Sequence, residues 1–149
     1  MINDTLKVTG AVSIQLLDKD GNVIDTRSIP NLVVSAGKTF IASSMLKTTT
    51  NSPVAMTHMA VGTNSTAPAA GDTALGGEAG RVTLASATSS GNVVTYTATF
   101  PAGTGTGALV EAGIFNASSS GTMLCRTTFA VVNKGAADAM SITWTITVS

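Results

Sequence analysis

Several stretches carry residue types that could do chemistry, and each implies a particular kind. The segment "DKDGNVID", Asp18 to Asp25, spaces oxygen donors as a calcium loop would. A helix-flanked calcium loop also needs further acidic or amide ligands and a bidentate Glu at its twelfth position. Here the flanks alternate like strands, and Asp-Gly is a standard hairpin tip, so a turn is expected. The run "PAGTGTGA", Pro101 to Ala108, is rich enough in glycine to suggest a phosphate cradle. It completes neither the Gly-Lys-Ser/Thr of a P-loop nor a G-x-G-x-x-G that opens a helix, and reads as a connection between strands.

His58 is the lone histidine, so a metal site or a Ser-His-Asp triad would have to form around it. No G-x-S-x-G elbow accompanies it, and a strand histidine with a hydrogen-bonded ring is expected. Cys125, the single cysteine, permits no intrachain disulfide and no thiolate cluster; its strand-like surroundings predict a buried, inert thiol. The carboxylates of the second half are Asp72, Glu78, Glu111 and Asp138. A glycosidase needs two carboxyl groups across one scissile bond, and sugar clefts are commonly lined with aromatics. This chain has one Trp, one Tyr and four Phe, mostly on core-facing positions. Glu111 stands in a mostly apolar run, so a partner for its charge is expected in Arg81 or Arg126. No catalytic constellation results: the expectation is a protein that is not an enzyme, with no cofactor, no metal and no small-molecule substrate.

The elements that position these residues are mainly strands. In "LKVTGAVSIQL" Leu6, Val8, Val12, Ile14 and Leu16 share one face of an extended chain. "VVTYTATF" sets Val94, Tyr96, Ala98 and Phe100 against Val93 and threonines, and "MSITWTITV" sets Met140, Ile142, Trp144, Ile146 and Val148 against Ser141 and threonines. "VIDTRSI", "HMAVG", "RVTLASAT", "LVEAGIFNA" and "TMLCRTTFAVV" complete about eight strands, separated by Gly-, Ser- and Asn-rich turns. One all-β domain over residues 1–149 follows: an antiparallel β-sandwich, with jelly-roll connectivity among the arrangements it admits. One segment breaks the period. "SAGKTFIASSMLK" places Phe40, Ile41, Ser44, Met45 and Leu46 at helical spacing, predicting a helix over about residues 36–47. Ser35 would be its N-cap and Lys47 would lie in its last turn. The helix is expected across an open end or edge of the sandwich.

Charge narrows the function. Lys and Arg number eight, Asp and Glu eight, and only 11% of residues are charged, against about 25% in an ordinary domain. Nine of these charges fall in residues 1–47, leaving seven for the other 102. A balanced chain without clustered cations is a poor nucleic-acid binder. No run approaches the roughly 20 apolar residues of a membrane helix, and "MINDTLKV" lacks the regions of a signal peptide. Weakly charged, near-neutral surfaces favour association, so packing against partners is expected.

The most unusual stretch is "MAVGTNSTAPAAGDTALGGEAGR", Met59 to Arg81. Loops this long inside small domains are uncommon and usually functional or disordered. Ala67, Pro68, Ala69, Ala70 and Leu75 make it too apolar for a solvated linker. An ordered loop is expected, covering a sheet edge or meeting a neighbour, with Glu78 and Arg81 anchoring its end; packing on its own domain alone is the plainer alternative.

Together, "NLVVSAGKTFIASSML" (31–46), "HMAVGTNSTAPAAGDTALGGEAGR" (58–81), "ATFPAGTGTGALVEAGIFNA" (98–117) and "NKGAADAMSITWTIT" (133–147) resemble ordered blocks of tailed-bacteriophage structural proteins. In that group "VGTGTTAPAAGDTAL…E…R" precedes a strand, and "TEAGIFN" follows a glycine-rich loop. Asn64-Ser65 replaces a frequent Gly-Thr here, and Val110 replaces the common Thr. The resemblance covers most of the chain from Asn31 onward and implies a virion protein without catalytic activity. Related blocks occur in capsid cement (decoration) proteins and in tail-associated proteins. The block set fills the chain without a coiled-coil shaft, a repeat or a receptor-binding tip, which favours cementing. The resemblance thus implies a protein on the outer capsid surface of the virion, made in the bacterial host cytoplasm. Its partners would be the major capsid protein and copies of itself, as dimer or trimer. A tail, tail-fibre or baseplate accessory is the alternative, and a small carbohydrate-binding module with an exposed aromatic platform is a poorer fit. The expected interaction surface combines an N-terminal arm (Met1, Ile2, Asn3, Asp4, Thr5) with Asn64, Pro68, Asp72, Leu75, Glu78 and Arg81 of the long loop. An arm of this kind could add a strand to a neighbour's sheet edge.

Overall fold

The computed structural model describes residues 4–46 and 53–149. Two antiparallel five-stranded sheets face one another as a sandwich. In chain order the strands are β1 (Val8–Leu17), β2 (Val23–Pro30), β3 (Leu32–Val33), β4 (His58–Gly62), β5 (Glu78–Thr83), β6 (Ser86–Ser90), β7 (Val93–Phe100), β8 (Gly107–Phe115), β9 (Met123–Lys134) and β10 (Ala139–Val148). One helix, α1 (Ser35–Ser44), follows β3. The first sheet runs β2-β1-β10-β7-β6 and the second β3-β9-β8-β4-β5. Hairpins β1–β2, β4–β5, β6–β7 and β8–β9 stay within a sheet, as does the β3–α1–β4 connection, while the connections β2–β3, β5–β6, β7–β8 and β9–β10 switch sheets.

Alternation decides which side chains meet between the layers. From β10, Met140, Ile142, Trp144 and Ile146 are buried, and β1 supplies Val12, Ile14 and Leu16. The second sheet answers with Met59, Val61, Leu109, Ala112, Ile114, Cys125 and Val132. Tyr96 and Val94 are only half-buried, because they line an open recess that Phe40 of α1 covers in part. Leu6, expected on the core face, precedes β1 and is exposed.

The ten strands exceed the eight read from sequence for two local reasons. β3 is a two-residue pairing with β9. "RVTLASAT" is not one strand: Leu84 donates its N–H to Thr57 O at 2.8 Å, and Ala85 donates to Thr97 O at 2.7 Å. The chain thus leaves β5 in one sheet and enters β6 in the other. The "DKDGN" segment is the β1–β2 hairpin tip, with Gly21 at φ 83°. Asp18 Oδ1 accepts the N–H groups of Asp20 and Asn22, each at 2.9 Å. Those bonds, Asn22 foremost, hold its carboxyl below the usual aspartate range.

The helix is shorter than expected and starts differently. Its N-cap is Val34, not Ser35, and no side chain caps it. Val34 is fully buried, and the Ser35 N–H donates to Ala70 O at 2.7 Å, so a loop carbonyl from far along the chain does the capping. At the other end Met45 and Leu46 donate to Ala42 and Ser43, closing the helix with i→i−3 bonds. Lys47 lies outside the described residues. The helix packs against β9 at Gly37, where an added Cβ would overlap the Leu124 carbonyl.

Gly37→Ala therefore sets helix propensity, which favours Ala by about 1 kcal/mol, against overpacking on rigid backbone, which costs about 1–3 kcal/mol. We expect a net loss of stability, read as a lower urea midpoint with Trp144 fluorescence as the probe. A raised midpoint would show that the helix shifts freely on β9.

Candidate functional site

The long loop occupies residues 63–77, joining β4 to β5, whereas hairpin loops usually take two to five residues. It covers the outer face of the second sheet, not a sheet edge. That face is set by register: Ala60 lies opposite both Arg81 and Gly113, Gly113 lies opposite Arg126, and Phe115 lies opposite Met123. Along "EAGIFN", Glu111, Gly113 and Phe115 point outward, while Ala112 and Ile114 point to the core. The small residues leave a trough. Leu75 lies in it, its Cδ2 3.1 Å from where a Cβ on Gly113 would stand. Val34, Ala60, Leu75, Phe115 and Met123 form a second, smaller apolar cluster there.

Beside that cluster lies a buried charge network. Glu111 is completely buried and Arg126 is 2% exposed. Arg126 donates through Nε and Nη2 to Glu111 Oε2, at 3.1 and 2.8 Å. Its Nη1 reaches Asp72 Oδ2 at 2.9 Å, and Nη2 also meets Thr66 O at 3.0 Å. Glu111 accepts three loop amides besides: Asn64 at 3.2 Å, Gly76 at 3.0 Å and Gly77 at 2.7 Å. These bonds fix both limbs of the loop on one carboxylate. Gly62 is required beneath them, since a Cβ there would stand 2.5 Å from Glu111 Oε1. Asp72 accepts the Ala69 N–H at 2.9 Å, which, ahead of the Arg126 contact, holds its carboxyl below the usual aspartate range against the effect of burial. The partner of Glu111 is thus Arg126. Arg81 serves elsewhere: it forms two bonds to Glu78, at 2.9 and 2.7 Å, donates to Ala117 O and Ser120 O, and lies 3.8 Å over the Phe115 ring.

The residues expected to meet a neighbour sort clearly. Leu75 is buried, and Asn64, Asp72 and Arg81 are half-buried with their polar atoms engaged inside the domain. Pro68 is half-buried along a shallow groove beside Asn31 and Thr128. Glu78, Asp4 and Thr5 are exposed; Met1, Ile2 and Asn3 lie outside the described residues. What the loop turns outward is a different set: Ser65, Ala67, Ala69, Ala70, Thr73 and Ala74. Sequence reasoning passed over these because small uncharged side chains carry no chemical signature. Their only signal is clustering in a loop whose polar residues are engaged below.

His58 Nδ1 lies 2.8 Å from Thr57 Oγ1, and Nε2 lies 3.4 Å from Thr83 Oγ1. Cys125 is buried, and burial pushes its thiol well above the ordinary value. Among the described residues no three His, Cys, Asp or Glu converge as metal ligands would, and no helix is long and apolar enough to cross a membrane. Compared with protein-family models, curated proteins and solved structures, the chain matches none.

Two outcomes test the network. Glu111→Gln removes one of the two carboxylates that face the buried Arg126, leaving Asp72, and weakens the bonds to three loop amides; it should cost about 1–3 kcal/mol in denaturant unfolding near neutral pH. It should also speed hydrogen exchange at the Gly76 and Gly77 amides. An Asp72 pKa lowered by folding stabilises fully above the unfolded aspartate value of about 3.9, and that contribution fades as pH falls through the lower folded value. The stability gap between wild type and Asp72→Asn should therefore be constant at neutral pH and close only in the acid limb. A gap that closes above pH ~5 would assign the effect to another group.

Proposed function

We propose that this protein is a bacteriophage capsid cement protein, which binds the outside of the assembled shell and stabilises it. One observation carries the reading: the long loop is held by a buried ion network, and the side chains it exposes fully are small and uncharged, its one carboxylate, Asp72, being drawn onto Arg126. A loop that is already ordered loses little conformational entropy when a partner covers it. Small side chains without charge allow close approach and leave no ions to desolvate. The block resemblance to tailed-phage structural proteins supports the same reading, since two of those blocks are the loop and the "EAGIFN" strand beneath it.

The mechanism is mechanical. A ligand that binds the assembled shell and not its free subunits stabilises the shell by mass action. Many modest contacts repeated over the particle suffice for that, because subunits on a shell meet at high effective concentration.

The test is the copy number of this chain in purified particles relative to the major shell protein, by quantitative mass spectrometry. The cement reading expects about one copy per shell subunit, or a simple fraction of it. A few to a few dozen copies per particle would move the protein to the tail, tail-fibre or baseplate, and absence would overturn the virion reading.

A further inference from the structure

The two sheets have four edges, and three carry devices that block strand addition. On β2, Asp25 and Arg27 lie opposite the core-facing Leu16 and Ile14, so they point inward; they form a 3.0 Å ion pair, and the strand ends at Pro30. β3 is only two residues long, and beyond it the edge of β9 meets β2, through Thr127 Oγ1 donating to Pro30 O and Arg27 Nη2 donating to Val131 O. β5 carries the charged Glu78 and Arg81 and a register shift opposite Val61/Gly62. The fourth edge, β6, has none of these. Its sequence, Ser86-Ala87-Thr88-Ser89-Ser90, contains no charge, no proline and no bulge, and every residue is exposed. Among the described residues its only strand neighbour is β7.

We infer that β6 is the joint at which two copies of this chain pair, antiparallel about a two-fold axis at Thr88, merging their first sheets into one of ten strands. The self-complementarity of the strand favours a second copy over a foreign segment. About Thr88, Ser86 meets Ser90 of the partner and Ala87 meets Ser89 of the partner, so the strands match in length, polarity and side-chain size. The surroundings agree. A row of hydroxyls, Ser28, Ser13, Thr143, Thr97 and Ser86, crosses all five strands to this edge, so no like charges are brought together on the outer side. On the inner side, Phe40, Met56, Val94 and Tyr96 line an apolar recess beside Ala87 and Ser89, which the added strand would cover. The joint supplies the self-association in the virion proposal, yet it is read on the isolated chain. Its failure would leave the particle copy number untouched.

Thr88→Cys provides the direct test. Residues facing one another across an antiparallel pair have Cα atoms about 4.5–5.5 Å apart, within the range a disulfide spans. Cys125 is buried and does not compete. Mild oxidation should give a covalent dimer in high yield, and sedimentation of the wild type should show a concentration-dependent dimer. Thr88→Lys places two ammonium groups across the axis and should weaken that dimer about fivefold, with the thermal midpoint unchanged at dilutions where both proteins are monomeric, because the side chain is exposed. A wild type that is monomeric at every concentration, a cysteine variant that stays uncrosslinked, or a lysine variant that dimerises normally would each overturn the joint.

Discussion

A carboxylate without access to water must be met by donors, and Glu111 has five. Two come from Arg126 and three from backbone amides at both ends of a loop that otherwise has no regular structure. Loop order and charge burial are therefore one event. Without the loop, Glu111 would keep Arg126 but lose its amides, and the outward faces of Ala60, Gly113, Phe115 and Met123 would meet water. Without the charge pair, the loop would hold by Leu75 and a few turn bonds. Such a network fixes one conformation sharply, because a half-satisfied version is worse than none. The outer face of this sheet thus has a small core of its own, and loop residues form its roof.

Much of the scaffold was legible because alternation is a physical consequence of the pleat. β10 and β7 announce their inner faces through Trp144, Ile142 and Phe100 and their outer faces through threonine. The sheet switch at Leu84–Ala85 was not legible. No glycine or proline marks it, the alternation runs through it, and the bonds that define it go to Thr57 and Thr97, remote in sequence. The helix start failed for a similar reason. Ser35 has the right chemistry for a cap, but Val34 is drawn into the apolar cluster and the Ala70 carbonyl arrives from the loop.

The site was half legible. An acidic residue in an apolar strand requires a cation, and two arginines were available. Choosing between them needs the register, which places Arg126 on the outward face of β9 opposite Gly113 and Arg81 on β5 opposite Ala60. Residue type misled in one respect: Asn64, Asp72 and Arg81 look like contact residues, but Asn64 and Asp72 bond within the loop and to Arg126, and Arg81 is engaged with Glu78, Ala117 and Ser120.

Charge accounting beyond residue 47 explains what is left on the outer surface. Asp72, Glu111 and Arg126 share one network, and Glu78 is paired with Arg81. Lys134 is buried and donates to Pro101 O at 2.9 Å, and burial lowers its pKa. Asp138 accepts the Gly135 N–H. All seven charged groups of that region are engaged within the domain, so the low charge of the surface comes from placement as much as from composition. What faces outward is hydroxyl on the first sheet and small apolar loop on the second. The association proposed for such faces would rest on shape and backbone hydrogen bonding, interactions that ionic strength screens little. The charges have an internal task, and rigid order in the loop is its result.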